Sequence, residues 1–284
     1  MSRIQEILNK AERDGGLHRT RTIVAEGPVI GTPVGGGALA ATMAVPPVPL
    51  DVAREPHAVE GHLNHLLVAA FAPQSLAAEQ YRSLRTRVKS AERGRTMRTI
   101  VITSPNKGDG KSLTAANLAL TMAQEFQQRV LLVDGDLRHA SIHLMFGIDE
   151  TPGLSDVLTG EIPLDDALVT LPQHALTILP SGQAPSHPAE LLGSTAMRRT
   201  LDALRTRFDR VIIDMPPVAP LADVPIALGM VDGLLMIVRA GVTPKPAIER
   251  ALAGLDTSKV LGLVLNDAGA GGASYEYAYK KVAG

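Results

Sequence analysis

The sequence contains no cysteine and no tryptophan, and its only aromatic residues are four tyrosines and four phenylalanines. The absence of cysteine excludes disulfides and thiolate metal ligands, and it agrees with a reducing cytoplasm. Acidic and basic residues balance to a net charge of −1, which argues against nucleic acid or an anionic membrane surface as a partner. With so few aromatic rings, the hydrophobic core must consist of Val, Ile, Leu and Ala.

Long hydrophobic runs are also missing. The longest apolar stretch, Gly37–Val45, ends at Pro46. It is far shorter than the ~20 residues that a membrane-spanning helix needs. The first residues show no apolar core of a secretory signal. We therefore expect no direct membrane span, a cytoplasmic location, and recruitment to the inner face of the plasma membrane only through a partner.

The chain has 284 residues, of which 45% are hydrophobic, enough for one large domain with extensions. Residues 1–14 place apolar side chains at helical spacing, which predicts a short amphipathic helix, either marginal or a docking element. Residues 15–58 are rich in glycine and proline and are interpreted as a disordered linker. The folded domain is predicted over residues 59–267, with a flexible tail at 268–284.

Within the folded domain, strand and helix patterns alternate. This order predicts an α/β fold, a doubly wound and mostly parallel sheet flanked by helices, with ligands at the carboxyl ends of its strands. Strands are predicted at His65–Phe71, Arg98–Ile102, Arg129–Val133, Leu176–Leu179, Arg210–Ile213, Gly233–Val238 and Val260–Leu265. Helices are predicted at 75–90, Leu113–Gln127, Ser194–Arg207, Leu221–Gly229 and Pro244–Leu255.

A glycine-containing loop at residues 103–112 follows one predicted strand and precedes a helix. Strand, loop, Lys-Ser and helix in this order build a phosphate cradle from backbone N–H groups. Lys111 would reach the outer phosphates, and Ser112 would offer its hydroxyl to Mg²⁺. The alternative is an ordinary glycine turn, since Pro105 stands where the usual pattern has its first glycine. The predicted nucleotide contacts are Asn106, Lys107, Gly108, Asp109, Gly110, Lys111, Ser112 and Leu113.

Two other predicted strands end in aspartates. Asp134 and Asp136 follow the strand at 129–133, and Asp214 follows the strand at 210–213. A carboxylate at the end of a buried strand is costly unless it is hydrogen-bonded or binds a cation. Asp136 and Asp214, together with Ser112, are therefore predicted Mg²⁺ ligands. Asp134 is better placed to orient an attacking hydroxyl or accept its proton, while the alternative for all three is simple loop capping.

Two further features lie outside the loop and the acids. Glu79, Arg82 and Arg85 share one helix face, which is either solvated surface or a face that pairs with a second copy of the chain. Three of the four tyrosines, Tyr275, Tyr277 and Tyr279, follow a glycine-rich stretch near the C-terminus. Tyrosine is normally used for half-buried packing, so the cluster indicates either a terminal strand or an exposed substrate segment.

The phosphate loop, the segment Val-Asp-Gly-Asp-Leu-Arg at 133–138 and the segment Ile-Ile-Asp-Met-Pro-Pro at 212–217 together resemble bacterial tyrosine kinases of the CpsD/CapB type. These are P-loop proteins related to the MinD/ParA ATPases, and the resemblance covers residues 62–267. It implies an autokinase that uses ATP and Mg²⁺ in capsule and exopolysaccharide synthesis and export. The N-terminal segment is similar to the autokinases of exosortase-linked exopolysaccharide loci.

The resemblance also implies roles for individual residues. Lys111 and Ser112 match the Walker A motif, and the three aspartates match Walker A-prime and Walker B. The catalytic set is then Lys111, Asp134, Asp136 and Asp214. The tail tyrosines would accept phosphate from neighbours in a ring held by Glu79, Arg82 and Arg85. The implied activator is a membrane polysaccharide co-polymerase or chain-length regulator, and Asn266 is assigned to the adenine pocket by position alone.

The loop departs from the related families at two points. Asn106 stands where the MinD/ParA proteins have a second lysine, and Pro105 and Lys107 differ from the commoner kinase loop Pro-Gly-Glu-Gly-Lys. Two alternatives to the autokinase therefore stay open. One is a MinD/ParA-like ATPase that transfers nothing to protein. The other is a nucleotide-binding regulator of polysaccharide export without catalytic activity.

Overall fold

The computed structural model of the chain describes residues 22–24, 57–58, 62–92, 96–125 and 128–268. In this part of the chain nine strands form a single sheet with the order β1-β9-β8-β3-β7-β4-β6-β5-β2. The pairs β1/β9 and β5/β6 are antiparallel, and all other pairs are parallel. The strands are Thr22–Val24 (β1), His57–Ala58 (β2), Thr99–Thr103 (β3), Val130–Asp134 (β4), Val169–Leu171 (β5), Leu176–Leu179 (β6), Arg210–Asp214 (β7), Gly233–Arg239 (β8) and Val260–Asn266 (β9).

Helices cover both faces of this sheet. They are Val68–Phe71 (α1), Leu76–Ala91 (α2), Lys111–Ala123 (α3), Ile142–Phe146 (α4), Leu154–Thr159 (α5), Leu164–Ala167 (α6), Pro188–Leu192 (α7), Thr195–Arg207 (α8), Asp223–Leu228 (α9) and Lys245–Ala253 (α10), with 3₁₀ turns at Pro172–His174 and Thr257–Lys259. Alternate residues of each central strand enter different cores. Val101 joins the core under α8 and α10, whereas Ile100 and Ile102 join the core under α2 and α3. The predicted doubly wound α/β class is confirmed.

The order of the strands determines where the site lies. β3 is central and pairs with β7 on one side and β8 on the other, while β4 lies beyond β7. The chain therefore leaves β3 through α3 and returns two positions away, which opens a crevice at the carboxyl end of β3. In the register between β4 and β7, Asp134 lies opposite Asp214. The phosphate loop and the two acid-bearing strand ends consequently meet at one edge of the sheet.

The strand predicted at His65–Phe71 is wrong, because residues 68–71 form the helix α1. The segment does not join the sheet but packs on α3, where the side chain of Asn117 satisfies its backbone. Asn117 Oδ1 accepts from the Ala69 N–H at 3.0 Å, and Asn117 Nδ2 donates to the Leu66 carbonyl at 3.2 Å. By contrast, the helix predicted from Ser75 is confirmed: the Ser75 hydroxyl accepts from the Ala78 N–H at the start of α2.

Sequence patterns missed the shortest strands. β1 and β2 fall inside the predicted linker 15–58, so at those positions the chain joins the sheet, β1 along the edge of β9 and β2 along β5. The rest of that linker, the predicted N-terminal helix and the tail beyond residue 268 lie outside the described residues. Among the described residues, no helix combines the length and apolar character needed to cross a membrane.

Candidate functional site

The phosphate loop turns sharply into α3 at Gly110. Gly110 has φ +94°, in the left-handed region that favours glycine, and its carbonyl accepts from the Thr114 N–H at 2.9 Å. A Cβ at this position would lie 2.0 Å from Asn266 Nδ2. Gly108 also has a positive φ, +86°. Backbone conformation requires glycine at both positions, and at Gly110 the approach of Asn266 requires it again.

Asp109 holds the loop in shape. The residue is 2% exposed, and its carboxylate accepts from the Asn106 N–H at 2.9 Å and from the Thr243 hydroxyl at 2.7 Å. Its carbonyl accepts from Asn266 Nδ2 at 3.0 Å. The loop is thus attached to the segment that follows β8 through Thr243 and to the last residue of β9, Asn266. Asn266, assigned to the adenine pocket by position, contacts the loop backbone in this structure.

Lys111 lies at the centre of the acidic cluster predicted from the strand ends. Its Nζ is 2.9 Å from Asp136 Oδ2, 3.5 Å from Asp214 Oδ2 and 3.1 Å from Ser112 Oγ. Burial opposes the charge on Lys111, but Asp214 and Asp136 outweigh it, so the lysine pKa is raised. The structure therefore brings Lys111, Ser112, Asp136 and Asp214 together around one buried point.

Asp214 is the most constrained of the acids. It is fully buried, and burial raises its pKa to about 7 although Lys111 opposes that rise. Its Oδ1 is buried without a hydrogen-bond partner. An orphaned carboxylate oxygen beside a second carboxylate and a hydroxyl is a donor set that fits Mg²⁺, which prefers hard oxygen ligands. The described residues contain no group of three or more His, Cys, Asp or Glu suited to a metal.

Asp134 is buried beside this cluster and shapes the loop after β4. Its Oδ2 accepts from the Ser141 and Ile142 N–H groups, both at 3.0 Å, and its Oδ1 accepts from the Asp136 N–H at 3.2 Å. Burial nevertheless raises its pKa to about 6, so it is a stronger base than an ordinary aspartate. Asp134 therefore combines a fixed position with a pKa above that of an ordinary aspartate.

The remaining predicted residues lie away from this cluster or outside the described chain. Glu79 and Arg82 form an exposed ion pair within α2 at 2.7 Å, while Arg85 Nη1 donates to the Thr121 carbonyl of α3 at 2.8 Å. Arg85 thus attaches α2 to the helix of the phosphate loop. Lys107 is exposed at the loop tip, and Leu113 is half-buried against the α2/α3 core. Tyr275, Tyr277 and Tyr279 lie outside the described residues.

Sequence reasoning missed two residues that join the site from other loops. Thr243, after β8, binds the carboxylate of Asp109, and its hydroxyl also accepts from the Arg239 N–H at 2.9 Å. Asp223, at the start of α9, forms an ion pair with the guanidinium of Arg138. Only tertiary folding creates these contacts, so no local signal marks either residue, although Arg138 belongs to the segment Val-Asp-Gly-Asp-Leu-Arg.

Comparison with known proteins places this geometry in a family. A family model described as an AAA domain matches residues 97–249. The tyrosine-protein kinase YwqD of Bacillus subtilis is 38% identical over 202 residues, which cover 70% of this chain and 85% of that protein. The tyrosine-protein kinase CpsD of Streptococcus agalactiae is 31% identical over 200 residues, covering 69% and 85% of the two chains.

Solved structures agree with the sequence matches. The kinase domain of the Escherichia coli tyrosine kinase ETK superposes with a TM-score of 0.68 at 28% identity, covering 74% of this chain and 84% of that one. The chimerical protein CapA2B2 gives a TM-score of 0.68 at 29% identity, with coverages of 75% and 93%. An ATP complex of a McdA variant from Cyanothece is more distant, with a TM-score of 0.50, 26% identity and coverages of 60% and 70%.

Proposed function

Since this chain belongs to the bacterial tyrosine kinases, we propose that it transfers the γ-phosphate of ATP to tyrosines in its own C-terminal tail. The observation that carries the proposal is the convergence of Lys111, Asp136 and Asp214 on one buried point beside the glycine loop. Phosphoryl transfer needs little covalent chemistry from the protein, and positioning plus charge neutralisation supply most of the catalysis. A buried lysine and two carboxylates at a helix N-terminus provide both.

Each side chain has a defined part in this reaction. ATP would lie along residues 106–113, with backbone N–H groups and Lys111 around its phosphates. Ser112, Asp136 and Asp214 would hold Mg²⁺, which offsets the charge of the phosphate oxygens. Asp134 orients the tyrosine hydroxyl and takes its proton as the tyrosine oxygen bonds to the γ-phosphorus and ADP leaves.

The position of Lys111 implies an exchange of partners when substrate binds. Without nucleotide its ammonium neutralises Asp136 and Asp214. A divalent ion bound to the same carboxylates would repel that ammonium, because two cations cannot share the site at low cost. Lys111 would then turn toward the phosphates, whose negative charge replaces that of the acids. Lys111 thus neutralises the carboxylates when the site is empty and the phosphates when ATP and Mg²⁺ are bound.

The tail can reach a neighbouring site. Eleven residues separate Asn266 from Tyr277, a span of roughly 36 Å when extended and about 18 Å on average as a coil. Trans-phosphorylation within a ring held by Glu79, Arg82 and Arg85 fits these lengths. Phosphates on Tyr275, Tyr277 and Tyr279 would add about −1.5 to −2 charges each and loosen the ring by repulsion.

We propose the partners and the cellular place on the basis of the same family assignment. We assign this kinase to capsular or exopolysaccharide synthesis and export in the cytoplasm, at the inner face of the membrane. A membrane polysaccharide co-polymerase or chain-length regulator would recruit and activate it.

Mass spectrometry of the purified chain after incubation with ATP and Mg²⁺ tests the proposal. Phosphate is expected on Tyr275, Tyr277 and Tyr279, and it should disappear in Asp134→Ala. A variant with all three tyrosines changed to phenylalanine should still bind ATP but carry no tail phosphate. Absence of phosphotyrosine even with a membrane activator present contradicts the assignment.

A MinD/ParA-like ATPase is the second candidate, favoured by the similarity to the ATP complex of McdA. It predicts ATP hydrolysis by water with no phosphotyrosine on the chain. The two candidates share the nucleotide site, so Lys111→Met should abolish ATP binding under both. The destination of the phosphate, inorganic phosphate or tyrosine, therefore separates them in one assay.

A further inference from the structure

One ion pair on the carboxyl edge has no part in the chemistry described above. Arg138, two residues after Asp136, donates through Nε to Asp223 Oδ2 at 2.8 Å and through Nη2 to Asp223 Oδ1 at 3.3 Å. The Asp223 side chain is 1% exposed, whereas that of Arg138 is 34% exposed. The planar guanidinium thus holds a buried carboxylate with two parallel bonds, a geometry that fixes direction as well as distance.

This pair joins the two loops that carry the predicted metal ligands. The loop from Asp134 to His139 is internally tight, because Asp136 Oδ1 accepts from the His139 N–H at 3.0 Å. A displacement of Arg138 would therefore move Asp136 with it. Asp223 is the first residue of α9, after the loop that follows Asp214, and the buried apolar residues of α9 belong to the core under α8 and α10.

The loop after β7 is anchored at its other end as well. Thr103 Oγ1 donates to the Pro216 carbonyl at 2.6 Å, and the Val218 N–H donates to the Ser104 carbonyl at 2.9 Å. Prolines at 216, 217 and 220 stiffen the connection. Asp223 is thereby a firm support against which Arg138 can fix the Asp136 loop.

Two other links connect the same loops, and one of them would be lost when ATP and Mg²⁺ bind. The Gly135 N–H donates to the Asp214 carbonyl at 2.8 Å at the root of the loops, and Lys111 bridges the two carboxylates at their centre. In the proposed function Lys111 leaves the carboxylates for the phosphates. Asp134 still holds the Asp136 loop from within, but the link from its outer end to the Asp214 loop then runs through Arg138 and Asp223.

We propose that Arg138 and Asp223 are positioning residues that set the separation of Asp136 and Asp214, and hence the affinity of the nucleotide complex for Mg²⁺. The inference rests on the proposed ATP and Mg²⁺ site. Partners that orient metal ligands are worth roughly 10–100-fold in metal affinity in other proteins. The pair itself touches neither the metal nor the nucleotide.

The molecule provides a matched control on the opposite edge of the sheet. Arg129, directly before β4, and Asp209, directly before β7, form a similar two-bonded pair with Nη2–Oδ1 at 3.1 Å and Nε–Oδ2 at 3.3 Å. It joins the same two strands at their amino ends, and its side chains are 61% and 38% exposed. A role in joining strands alone would be common to both pairs, whereas a role in metal positioning belongs only to Arg138 and Asp223.

The experiment measures the affinity of the full chain for a fluorescent ATP analogue, once with Mg²⁺ and once with EDTA. The variants are Arg138→Gln, Arg138→Lys and Asp223→Asn, with Arg129→Gln and Asp209→Asn as controls. Asp223→Asn keeps the shape and removes the buried charge, so it does not leave an unpaired carboxylate in the core. Thermal unfolding of each variant accompanies the titrations.

Arg138→Gln and Asp223→Asn should each reduce the gain in affinity from Mg²⁺ by roughly tenfold, with affinity in EDTA unchanged and Arg138→Lys intermediate. The double variant should lose no more than either single variant, because the two residues act as one unit. Equal losses in Mg²⁺ and EDTA, or no loss at all, overturn the inference. A wild-type chain whose ATP affinity does not depend on Mg²⁺ overturns the proposed site instead.

Discussion

The two edges of the sheet carry the same types of charged residue, but the pKa values of their acidic residues are shifted in opposite directions. On the amino edge, Asp209 and Glu125 lie in exposed or half-exposed ion pairs with Arg129 and Lys89. Hydrogen bonds from these cations are the largest influence, and they lower the pKa of both acids. On the carboxyl edge, burial is the largest influence on Asp134 and Asp214, and it raises the pKa of both.

This difference in pKa distinguishes exposed charges, which serve solubility, from buried charges, which serve function. An exposed ion pair costs little to form and contributes little. A buried, incompletely paired carboxylate costs stability, and such costs concentrate where a ligand will later compensate them. The orphaned Oδ1 of Asp214 agrees with the cation site proposed above. Each edge can therefore serve as the reference for substitutions made in the other.

Removing the central cation should have the largest effect. Lys111→Met removes the partner of both Asp136 and Asp214 and the ammonium proposed to meet the phosphates. We expect complete loss of ATP binding and of phosphotyrosine, measured by nucleotide titration and mass spectrometry. Arg129→Met, which removes a cation from the amino edge, should leave both intact. Retained ATP binding in Lys111→Met would contradict the nucleotide site.

Backbone strain provides the next test. Gly110→Ala forces an alanine to φ +94° and its Cβ to within 2.0 Å of Asn266 Nδ2. We expect a loss of stability of roughly 1–3 kcal/mol. Because the loop must shift to relieve the clash, ATP affinity should fall by at least tenfold, about 1.4 kcal/mol.

The control for this substitution is Gly254→Ala on the amino edge. Gly254 has φ −86°, and the nearest atom to a built Cβ, the Ala251 carbonyl oxygen, is 3.8 Å away. The free energy of unfolding of the Gly254→Ala variant should differ from that of the parent chain by less than about 1 kcal/mol, with ATP affinity unchanged. Chemical denaturation and nucleotide titration measure both variants, and similar losses at the two glycines would show that the loop conformation is not special.

The dependence of stability on pH should have opposite signs at the two edges, and Asp214 is the test residue of the carboxyl edge. The folded-state pKa of Asp214, about 7, lies above its ordinary value of 3.8. Its contribution to stability is therefore fully present below about pH 4 and is lost as pH rises through about 7. Asp214→Asn should flatten this dependence and stabilise the nucleotide-free chain at pH 8, on the order of 2 kcal/mol, while abolishing Mg²⁺-dependent ATP binding.

Asp209 should behave in the opposite way. Its pKa is lowered, so the stability it contributes is present above its unfolded pKa and is lost as pH falls through the folded value. Melting temperatures of Asp214→Asn, Asp209→Asn and the parent chain between about pH 2 and 8 measure both signs, in buffers whose ionisation varies little with temperature. The assignment would be contradicted if the parent chain became more stable from pH 5 to 8 and Asp214→Asn showed the same dependence on pH.

The carboxyl edge was also the more predictable of the two. The phosphate loop is a local motif, and acids at the ends of parallel strands must meet at one edge, so Lys111, Asp136 and Asp214 follow from sequence alone. Thr243 and Asp223 do not, because their partners lie on loops distant in sequence. The same limit explains α1: its apolar residues match a strand pattern, but the side chain of Asn117 in α3 bonds the backbone of this segment, which does not join the sheet.

The smallest effect is expected at the exposed pair of Arg129 and Asp209. A double-mutant cycle with Arg129→Gln and Asp209→Asn should give a coupling energy of about 0.2–1 kcal/mol in unfolding experiments. The coupling should weaken in 1 M salt, since exposed charges are screened. A coupling well above this range, or any change in ATP affinity, would mean that the amino edge supports the site through β4 and β7. In that case the same two strands would transmit a change in charge from one end of the sheet to the other, and the contrast between a functional edge and a solvated edge would no longer hold.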